Sequence, residues 1–255
     1  MEGGLPATLD SGIGRHILGH LDVRRKLYLG VFSVSLVIGF PLAGMIIDWL
    51  LEADGYVPDG VQVIILQPME VIILQLRIAS QIAIILTLAV ITVDLSLVGL
   101  RRSSESIKSG TVRFSGTGLL TSILFVILMG ALGLTYAHEI LIPFLLEYLA
   151  EDSAASGLNS TWQLQKWVGF ITGLYFSSVI GFQVPLLVIA LLRAEAIDRS
   201  LITENRSVIW FSALFLGALI SPPDPISLFL VGGPILVLIE LALLYDSAMS
   251  AYLPD

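Results

Sequence analysis

The chain has 255 residues, of which 56% are hydrophobic and 13% are charged, and its formal net charge is −8. Soluble domains carry about a quarter of charged residues, so this composition excludes an ordinary soluble protein and indicates one integral membrane domain over residues 1–255. The acidic balance, without a basic patch that contains aromatic residues, also argues against a nucleic-acid partner.

Six apolar stretches follow one another along the chain. They lie at about residues 27–51, 68–100, 117–146, 167–192, 207–221 and 226–245. The expected fold is therefore all-α, a polytopic bundle of six transmembrane helices. The last two helices are expected to be short, because Ser207–Ser221 as a helix measures about 22 Å against a hydrocarbon core of roughly 30 Å. Three prolines in Ser221-Pro222-Pro223-Asp224-Pro225 predict a sharp turn between them.

Lysine and arginine lie mainly on one side of these stretches. Eleven of the 13 precede the first stretch or fall between the second and third or the fourth and fifth. The positive-inside rule then predicts a multi-pass protein of the cell membrane with both termini in the cytoplasm.

The chain has three lysines and ten arginines, and the outer loops are acidic. That surface is typical of a halophile's proteins, with ordinary variation of exposed loops as the alternative.

Charged residues inside the apolar stretches need a physical reason, because a membrane interior disfavours them. Glu70 follows Pro68 at the start of the second stretch, and a proline followed by an acid suits a helix N-terminus. A contact between Glu70 and Arg77, two turns further on, is the alternative. Asp94 is expected to pair with the basic cluster around Arg101 or to reach water beside it.

The fourth stretch contains a polar residue near its middle. Gln183 stands in Phe182-Gln183-Val184-Pro185, at a distance of about 15 Å along a helix from Arg193. Pro185 removes a backbone hydrogen bond, so the helix is expected to bend there. We interpret Gln183 as a binding site for a partner or substrate; an interhelical hydrogen bond that only stabilises the bundle is the alternative.

The two short helices predict an ion pair. Arg206 precedes Asp224 by 18 residues and Glu240 follows it by 16. An antiparallel pair of helices brings both to similar depth, so we expect them to meet at the cytoplasmic boundary, where each reduces the desolvation penalty of the other. Independent extension of both side chains into water is the alternative.

No set of residues in the sequence predicts catalysis. His138-Glu139 begins a string like that of zinc proteases, but no second histidine follows at the required spacing. Cysteine is absent, and so is a glycine-rich loop for phosphates. The chain is therefore expected not to be an enzyme, and no catalytic residue, metal or cofactor is assigned.

The C-terminal third resembles the TatC family, the polytopic receptor subunits of the twin-arginine protein translocase. The resemblance is carried by Phe182-Gln183-Val184-Pro185 and by Arg206, Ser221-Pro222-Pro223-Asp224, Pro234 and Glu240, which keep the family's register. Weaker similarity is seen at Pro68-Met69-Glu70, at Gly133 and Pro143, and at His20-Leu21-Asp22-Val23-Arg24-Arg25. Gln183 stands where the family has a glutamate, so it keeps hydrogen bonding but cannot carry a charge.

The resemblance implies a receptor for signal peptides with two consecutive arginines, carried by folded precursor proteins. It also implies recruitment of single-span TatA/TatB-type subunits and export driven by the proton-motive force. Two guanidinium groups need carboxylates at the cytoplasmic face, and Asp22 and Glu105 are the candidates. Arg24 and Arg25 are expected to contact lipid headgroups or to set the topology.

The resemblance further implies a concave face, formed by the short hairpin and the bent fourth helix, that accepts an apolar signal segment or a partner helix. The residues assigned to this groove are Glu70, Phe182, Gln183, Pro185, Arg206, Ser221, Asp224 and Glu240. Membrane lipid and further copies of the chain are the other expected partners. The alternatives are a TatC relative without receptor activity and a small secondary transporter with a polar site at midplane, although the two halves show no matching broken helices.

Overall fold

The structure is a computed structural model that describes residues 12–53, 56, 62–105, 116–155, 161–193, 199–220 and 225–252. Within these ranges it describes the side chains of residues 22–53, 56, 62–97, 118–151, 161–193, 200, 202–215 and 228–244. The Ser221–Asp224 turn, which the sequence assigned to the groove, lies outside the described residues. The side chain of Glu105 lies outside them too, although its backbone ends a helix.

Helices make up nearly all of the described chain, as the sequence predicts. They are α1 (Gly12–Glu52), α2 (Glu70–Glu105), α3 (Gly116–Tyr136), α4 (Ile142–Ala155), α5 (Leu164–Arg193), α6 (Arg199–Glu204), α7 (Arg206–Ile220) and α8 (Pro225–Tyr252). A π-helical segment, Ala137–Leu141, joins α3 to α4 without a break. Two strands of three residues, β1 (Gln62–Ile64) and β2 (Thr161–Gln163), complete the described elements.

Four helical stretches in the described chain are long and apolar enough to cross a membrane. They are Asp22–Glu52, Glu70–Leu97, Gly118–Glu151 and Leu164–Arg193. Arg206–Phe215 and Leu228–Leu244 are shorter apolar stretches. Large apolar side chains such as Val37, Met45 and Phe211 are more than half exposed, which fits a surface covered by lipid rather than water.

Helix α5 lies at the centre of the bundle. It packs against α2, α3 and α8, while α1 packs on α2 and α7 on α8. The main core is built from α1, α2, α4 and α5, with Leu50, Leu74, Leu145 and Val168 almost completely buried. Burial from several sides explains why α5 is apolar around its whole circumference.

A glycine permits the close contact between α3 and α5. A β-carbon on Gly133 would lie 2.8 Å from the backbone oxygen of Ser178 and 3.0 Å from the α-carbon of Val179. Small residues let helix backbones approach in this way, and the gain is van der Waals contact that lipid cannot supply. The position of Gly133 therefore fixes the distance between these two helices.

Proline does not end the helices that contain it. Pro234 lies inside α8 and leaves the carbonyl of Leu230 without its usual helical donor. The hydroxyl of Tyr136 donates to that carbonyl at 2.6 Å, so α3 supplies the missing hydrogen bond. Polar satisfaction from a neighbouring helix is how membrane helices tolerate proline.

The parallel strand pair closes one end of the bundle, hereafter the strand end. Gln62 pairs with Thr161 and Ile64 with Gln163. Beside it, Glu70 accepts hydrogen bonds from the backbone N–H groups of Leu66 and Gln67 at 3.1 and 3.0 Å. An acid that reaches back to the residues before its helix is a capping arrangement, which is one of the two explanations considered for Glu70 in the sequence analysis.

The predicted bounds need two corrections. The sixth helix was expected to be short, but α8 has 28 residues and continues through Glu240 to Tyr252. The all-α expectation also omitted β1 and β2, whose three residues each are too few to establish the alternation that identifies a strand.

Candidate functional site

The end of the bundle opposite the strand end, hereafter the basic end, carries Asp22, Arg24 and Arg25 on α1. Asp22 is exposed, and its carboxylate lies 3.2 Å from the guanidinium of Arg25, one turn along the helix. Both side chains are about 70% exposed, at 69% and 68%. Water screens such a pair, so Asp22 remains accessible to another cation.

Arg24 has a different environment from Arg25. Its Nη1 lies 2.5 Å from Oδ1 of Asp94 on α2, and the hydroxyl of Tyr28 donates to Oδ2 at 2.7 Å. Asp94 was expected to pair with the basic cluster around Arg101 or to reach water beside it, and Arg24 to contact lipid headgroups or to set the topology. The antiparallel packing of α1 on α2 adds a contact that was not expected, because it places Arg24 opposite Asp94.

Arg206 and Glu240 form the predicted ion pair. Nε of Arg206 donates to Oε1 of Glu240 at 3.1 Å, and Nη2 donates to Oε2, so the contact is bidentate. Nε1 of Trp210 donates to the same carboxylate at 3.2 Å. The prediction that these two residues meet is confirmed, and Trp210 was a missed partner that the spacing of one turn from Arg206 can identify.

Gln183 is buried inside the bundle, with 3% of its surface exposed. Its Nε2 donates to the backbone oxygen of Val126 at 2.8 Å, which joins α5 to α3. Gly130 leaves room for this contact, since a β-carbon there would lie 3.4 Å from Nε2. Oε1 of Gln183 is buried and has no hydrogen-bond partner among the described residues. The interhelical bond is present, and the role of Gln183 toward a partner stays a prediction.

The neighbours of Gln183 pack within the bundle as well. The ring of Phe182 lies 5.8 Å from that of Tyr136, centroid to centroid, and Pro185 is buried. This packing ties α5 to α3 at the level of the proline. Tyr136 thereby contacts α5 through its ring and α8 through its hydroxyl.

Glu70 and Arg77 do not form the contact that the sequence offered as an alternative. Besides its two backbone donors, Oε1 of Glu70 accepts from Nε2 of Gln163 at 2.7 Å. Oε2 is buried without a hydrogen-bond partner in the described part of the chain. The guanidinium of Arg77 lies instead against Gly169 of α5, where a β-carbon would fall 2.8 Å from Nη1. Glu70 is 1% exposed and belongs to the helix start rather than to an open surface.

An apolar cavity of ≈ 520 Å³ lies among α1, α2, α3 and α5. It is lined by Ile46, Trp49, Ile78, Gln81, Ile82, Ile85, Leu134, Thr135, His138, Glu139, Thr172, Tyr175, Phe176 and Val179. The sequence analysis predicted a concave face between the short hairpin and α5. This cavity is lined by α5 together with α1, α2 and α3 instead, so it is not the predicted face. Val179, one turn before Gln183, brings the cavity close to that residue without including it.

A cluster of polar side chains forms part of the cavity wall, since His138 and Tyr175 line the cavity. The hydroxyl of Tyr56 lies 2.8 Å from Nδ1 of His138 and 2.5 Å from the hydroxyl of Tyr175, and His138 and Tyr175 are 2.9 Å apart. His138 lies on the π-helical segment, whose extra residue changes the direction of its side chains. Sequence reasoning missed this cluster because Tyr56 comes from a loop. No group of three metal-ligating side chains occurs in the described residues.

Comparison with known proteins identifies the class as a helical membrane protein of protein transport. The model of the family "Sec-independent protein translocase protein (TatC)" matches residues 16–234. TatCy of Bacillus subtilis is 27% identical over 235 residues, covering 91% of this chain and 89% of that protein. TatCt of Haloferax volcanii is 25% identical over 193 residues, or 75% of this chain and 26% of that protein.

The fold agrees with these similarities. A crystal structure of the twin-arginine translocase receptor TatC superimposes with a TM-score of 0.66 at 20% identity, covering 91% of this chain and 98% of that one. Because the family model covers most of the chain, the protein belongs to the TatC family of Sec-independent protein translocase proteins. The family is one of protein transport, and its comparison indicates no enzymatic activity.

Proposed function

We propose that this TatC-family protein is the receptor subunit of a twin-arginine translocase. It binds the twin-arginine signal peptides of folded precursors and recruits single-span TatA/TatB-type subunits, and export is driven by the proton-motive force. The observation that carries the proposal is the apolar cavity of ≈ 520 Å³ among the four long helices. An apolar signal segment needs a concave, mostly apolar site, and this volume falls in the usual range of ligand sites.

The proposed topology has six spans in one domain, with the basic end and both termini in the cytoplasm. The four long stretches supply four spans, and α7 and α8 supply the two others. The excess of arginine at the basic end supports this orientation. Anionic lipid headgroups are then partners of that end, and oligomers of the chain within the complex are part of the same proposal.

At the basic end, Asp22 and Glu105 are proposed to bind the two arginines of the signal peptide. Asp22 suits this role because its carboxylate is exposed and its pair with Arg25 is screened by water. Guanidinium groups form strong, directional hydrogen bonds with carboxylates, each contributing about 1.5–3 kcal/mol. The family relationship favours this function over the transporter that the sequence left open.

The test is photocrosslinking of a synthetic twin-arginine signal peptide to the purified protein. Asp22→Asn together with Glu105→Gln removes both charges and keeps the shapes, so crosslinking should fall at least tenfold for a loss above about 1.4 kcal/mol. A peptide with two lysines is the matched control for general electrostatic attraction. Undiminished crosslinking in the double variant, at unchanged thermal stability, would reject the assignment and favour a relative without receptor activity.

The partner groove is proposed to lie along α5 and the hairpin. Phe182, Gln183 and Pro185 stand on α5, and Arg206 and Glu240 meet at the foot of the hairpin that contains Ser221 and Asp224. Oε1 of Gln183 is buried and has no hydrogen-bond partner among the residues whose side chains the structure describes. It supports a polar contact with an incoming helix, because a buried acceptor gains when a donor reaches it. Glu70, at the strand end, is assigned to the same groove from the family resemblance alone.

A further inference from the structure

Two of the 13 basic residues, Arg77 and Lys166, lie apart from the others in the sequence. Arg77 stands in the second turn of α2 and Lys166 in the first turn of α5, so both are near the strand end rather than the basic end. Both residues are exposed. Among the described residues, neither side chain has a hydrogen-bond or ion-pair partner. The two cations are therefore not accounted for by contacts within the described part of the chain.

The packing of α2 on α5 brings these two cations to one surface. Both helices begin beside the parallel strand pair and run from it in the same direction. A β-carbon on Gly169 of α5 would lie 2.8 Å from Nη1 of Arg77, and one on Gly173 would lie 4.0 Å from Nη2. Lys166 precedes Gly169 by three residues, so the two positions are neighbours on one face of α5, about 5–6 Å apart. Arg77 and Lys166 thus form one surface, hereafter the cation patch.

The guanidinium of the cation patch is held inside a membrane span. Gly169 and Gly173 follow the start of α5 by five and nine residues, which places them about 7.5 and 13.5 Å along the helix. Both belong to the apolar stretch Leu164–Arg193. A cation at this depth is costly unless an anion or water accompanies it. The cation patch therefore favours an anion supplied from outside the described part of the chain.

The surroundings of Arg77 indicate the kind of anion. Ile72, Ile73 and Leu76, within five residues of Arg77 on α2, are 52%, 46% and 54% exposed. Large exposed apolar side chains on a membrane span face acyl chains. A ligand that combines an anion with acyl chains matches both parts of this surface, and arginine and lysine both bind phosphate. A headgroup that carries its own ammonium fits less well, because the second cation of the patch repels it.

We propose that Arg77 and Lys166 bind the phosphate of an anionic phospholipid in the membrane leaflet at the strand end. The acyl chains of that lipid lie against the exposed apolar side chains at the start of α2. This inference goes beyond the proposed function, because the site lies at the opposite end of the bundle from Asp22 and needs no signal peptide. The bound phosphate offsets the cost of holding Arg77 at depth, so the lipid stabilises the contact between α2 and α5.

The test is labelling by a photoactivatable phosphatidylglycerol in nanodiscs of phosphatidylglycerol, with adducts located by peptide mass spectrometry. Adducts are expected in residues 70–77 and 164–173, and several-fold fewer in the double variant Arg77→Gln with Lys166→Gln. Arg25→Gln removes one charge at the basic end and is the matched control, which should leave these adducts unchanged. Lys166→Gln alone should also reduce them, and it serves if Arg77→Gln does not fold.

Photoactivatable phosphatidylcholine tests whether the patch prefers an anionic lipid. It should label the same two segments of the wild type several-fold less than phosphatidylglycerol does. Equal labelling by the two lipids, or unchanged labelling of the double variant, would overturn the site as ordinary lipid contact. Absence of labelling in both segments of the wild type would overturn it as well, in favour of an anion from a partner protein.

The two glycines test the position of the guanidinium at constant charge. Gly169→Ala places a methyl group where Nη1 of Arg77 lies, so it should displace the flexible guanidinium and reduce labelling by phosphatidylglycerol. Gly173→Ala makes an ordinary contact of 4.0 Å with Nη2 and is the matched control, which should label as the wild type does. Wild-type labelling of Gly169→Ala would show that the position of the guanidinium does not matter, and would contradict the proposal.

A lipid phosphate is distinguished from free phosphate by thermal unfolding in detergent. Short-chain phosphatidylglycerol should raise the melting temperature of the wild type and should raise that of the double variant less. Inorganic phosphate at the same concentration should have little effect, because it has no acyl chains to contact α2. An equal rise with inorganic phosphate would overturn the lipid as the ligand and identify a site for free phosphate.

Discussion

At the scale of single residues, burial decides what each charged side chain does. Arg24 and Arg25 are adjacent in the sequence, yet one holds a buried carboxylate and the other an exposed one. Glu240 is intermediate, with its side chain 23% exposed and bonded by Arg206 and Trp210. Arginine and acidic side chains in this protein therefore either stabilise the packing of helices or remain accessible to other molecules, depending on how far a neighbouring helix buries them.

The pair Arg206–Glu240 should couple measurably. A double-mutant cycle with Arg206→Ala and Glu240→Ala is expected to give roughly 1 kcal/mol, the upper range for partly exposed pairs, because the contact is bidentate. Unfolding in detergent measures it. The cycle on Asp22 and Arg25 is the control and should give less than about 0.5 kcal/mol. Equal couplings for the two pairs would contradict the difference in burial.

Substitutions of Gln183 can distinguish a residue that only stabilises helix packing from one that binds a partner helix. Gln183→Leu removes the bond to Val126, and interhelical hydrogen bonds in membranes average about 0.6 kcal/mol, so the protein should still insert and fold. If Oε1 meets a donor of a partner helix, the same change abolishes crosslinking to that partner. Gln183→Glu should be tolerated, since a neutral carboxyl can still donate to the carbonyl of Val126. Normal export and crosslinking with leucine would show that Gln183 only joins α5 to α3.

At the scale of elements, the sequence predicts what depends on composition and misses what depends on register. The second, fourth and fifth stretches agree with α2, α5 and α7 to within a few residues at most ends, because apolar length alone defines them. The Arg206–Glu240 pair was predictable, because both residues stand at nearly the same distance in sequence from Asp224, in the predicted turn between the two helices. The Arg24–Asp94 pair was not predictable, since 70 residues separate its members and their contact depends on the register in which α1 packs along α2.

The contact between α3 and α5 should depend on Gly133. Gly133→Ala places a methyl group 2.8 Å from the oxygen of Ser178, which forces the backbones apart and should destabilise the protein by about 1–3 kcal/mol. Gly30→Ala on α1 is the control, because among the described residues no atom other than the neighbouring backbone of α1 lies within 4 Å of a β-carbon there. Thermal unfolding of both variants gives the comparison. A loss of stability at Gly30 equal to that at Gly133 would indicate a general effect of alanine.

At the scale of the whole molecule, the basic end and the strand end are expected on opposite sides of the membrane. The chain has no cysteine, so single cysteines report their own position without background. Thr161→Cys at the strand end should react with an impermeant maleimide in intact cells. Ser200→Cys, at a position that is also exposed, should react only after permeabilisation. Labelling of Ser200→Cys in intact cells would reverse the proposed orientation.

The hydrogen bond between Gln163 and Glu70 can form only late in synthesis, after both residues have been added to the chain. Glu70 is synthesised 93 residues before the side chain that binds it, and β1 equally waits for β2. During synthesis the first three long helices are therefore complete before the strand end can close. Until β2 and α5 have been synthesised, Glu70 can accept hydrogen bonds from the N–H groups of Leu66 and Gln67 but not from Gln163. Over the same period β1 has an unpaired edge. A ribosome that stalls before Thr161 leaves a chain in which the strand end cannot close, and an unpaired strand edge of this kind favours misassembly.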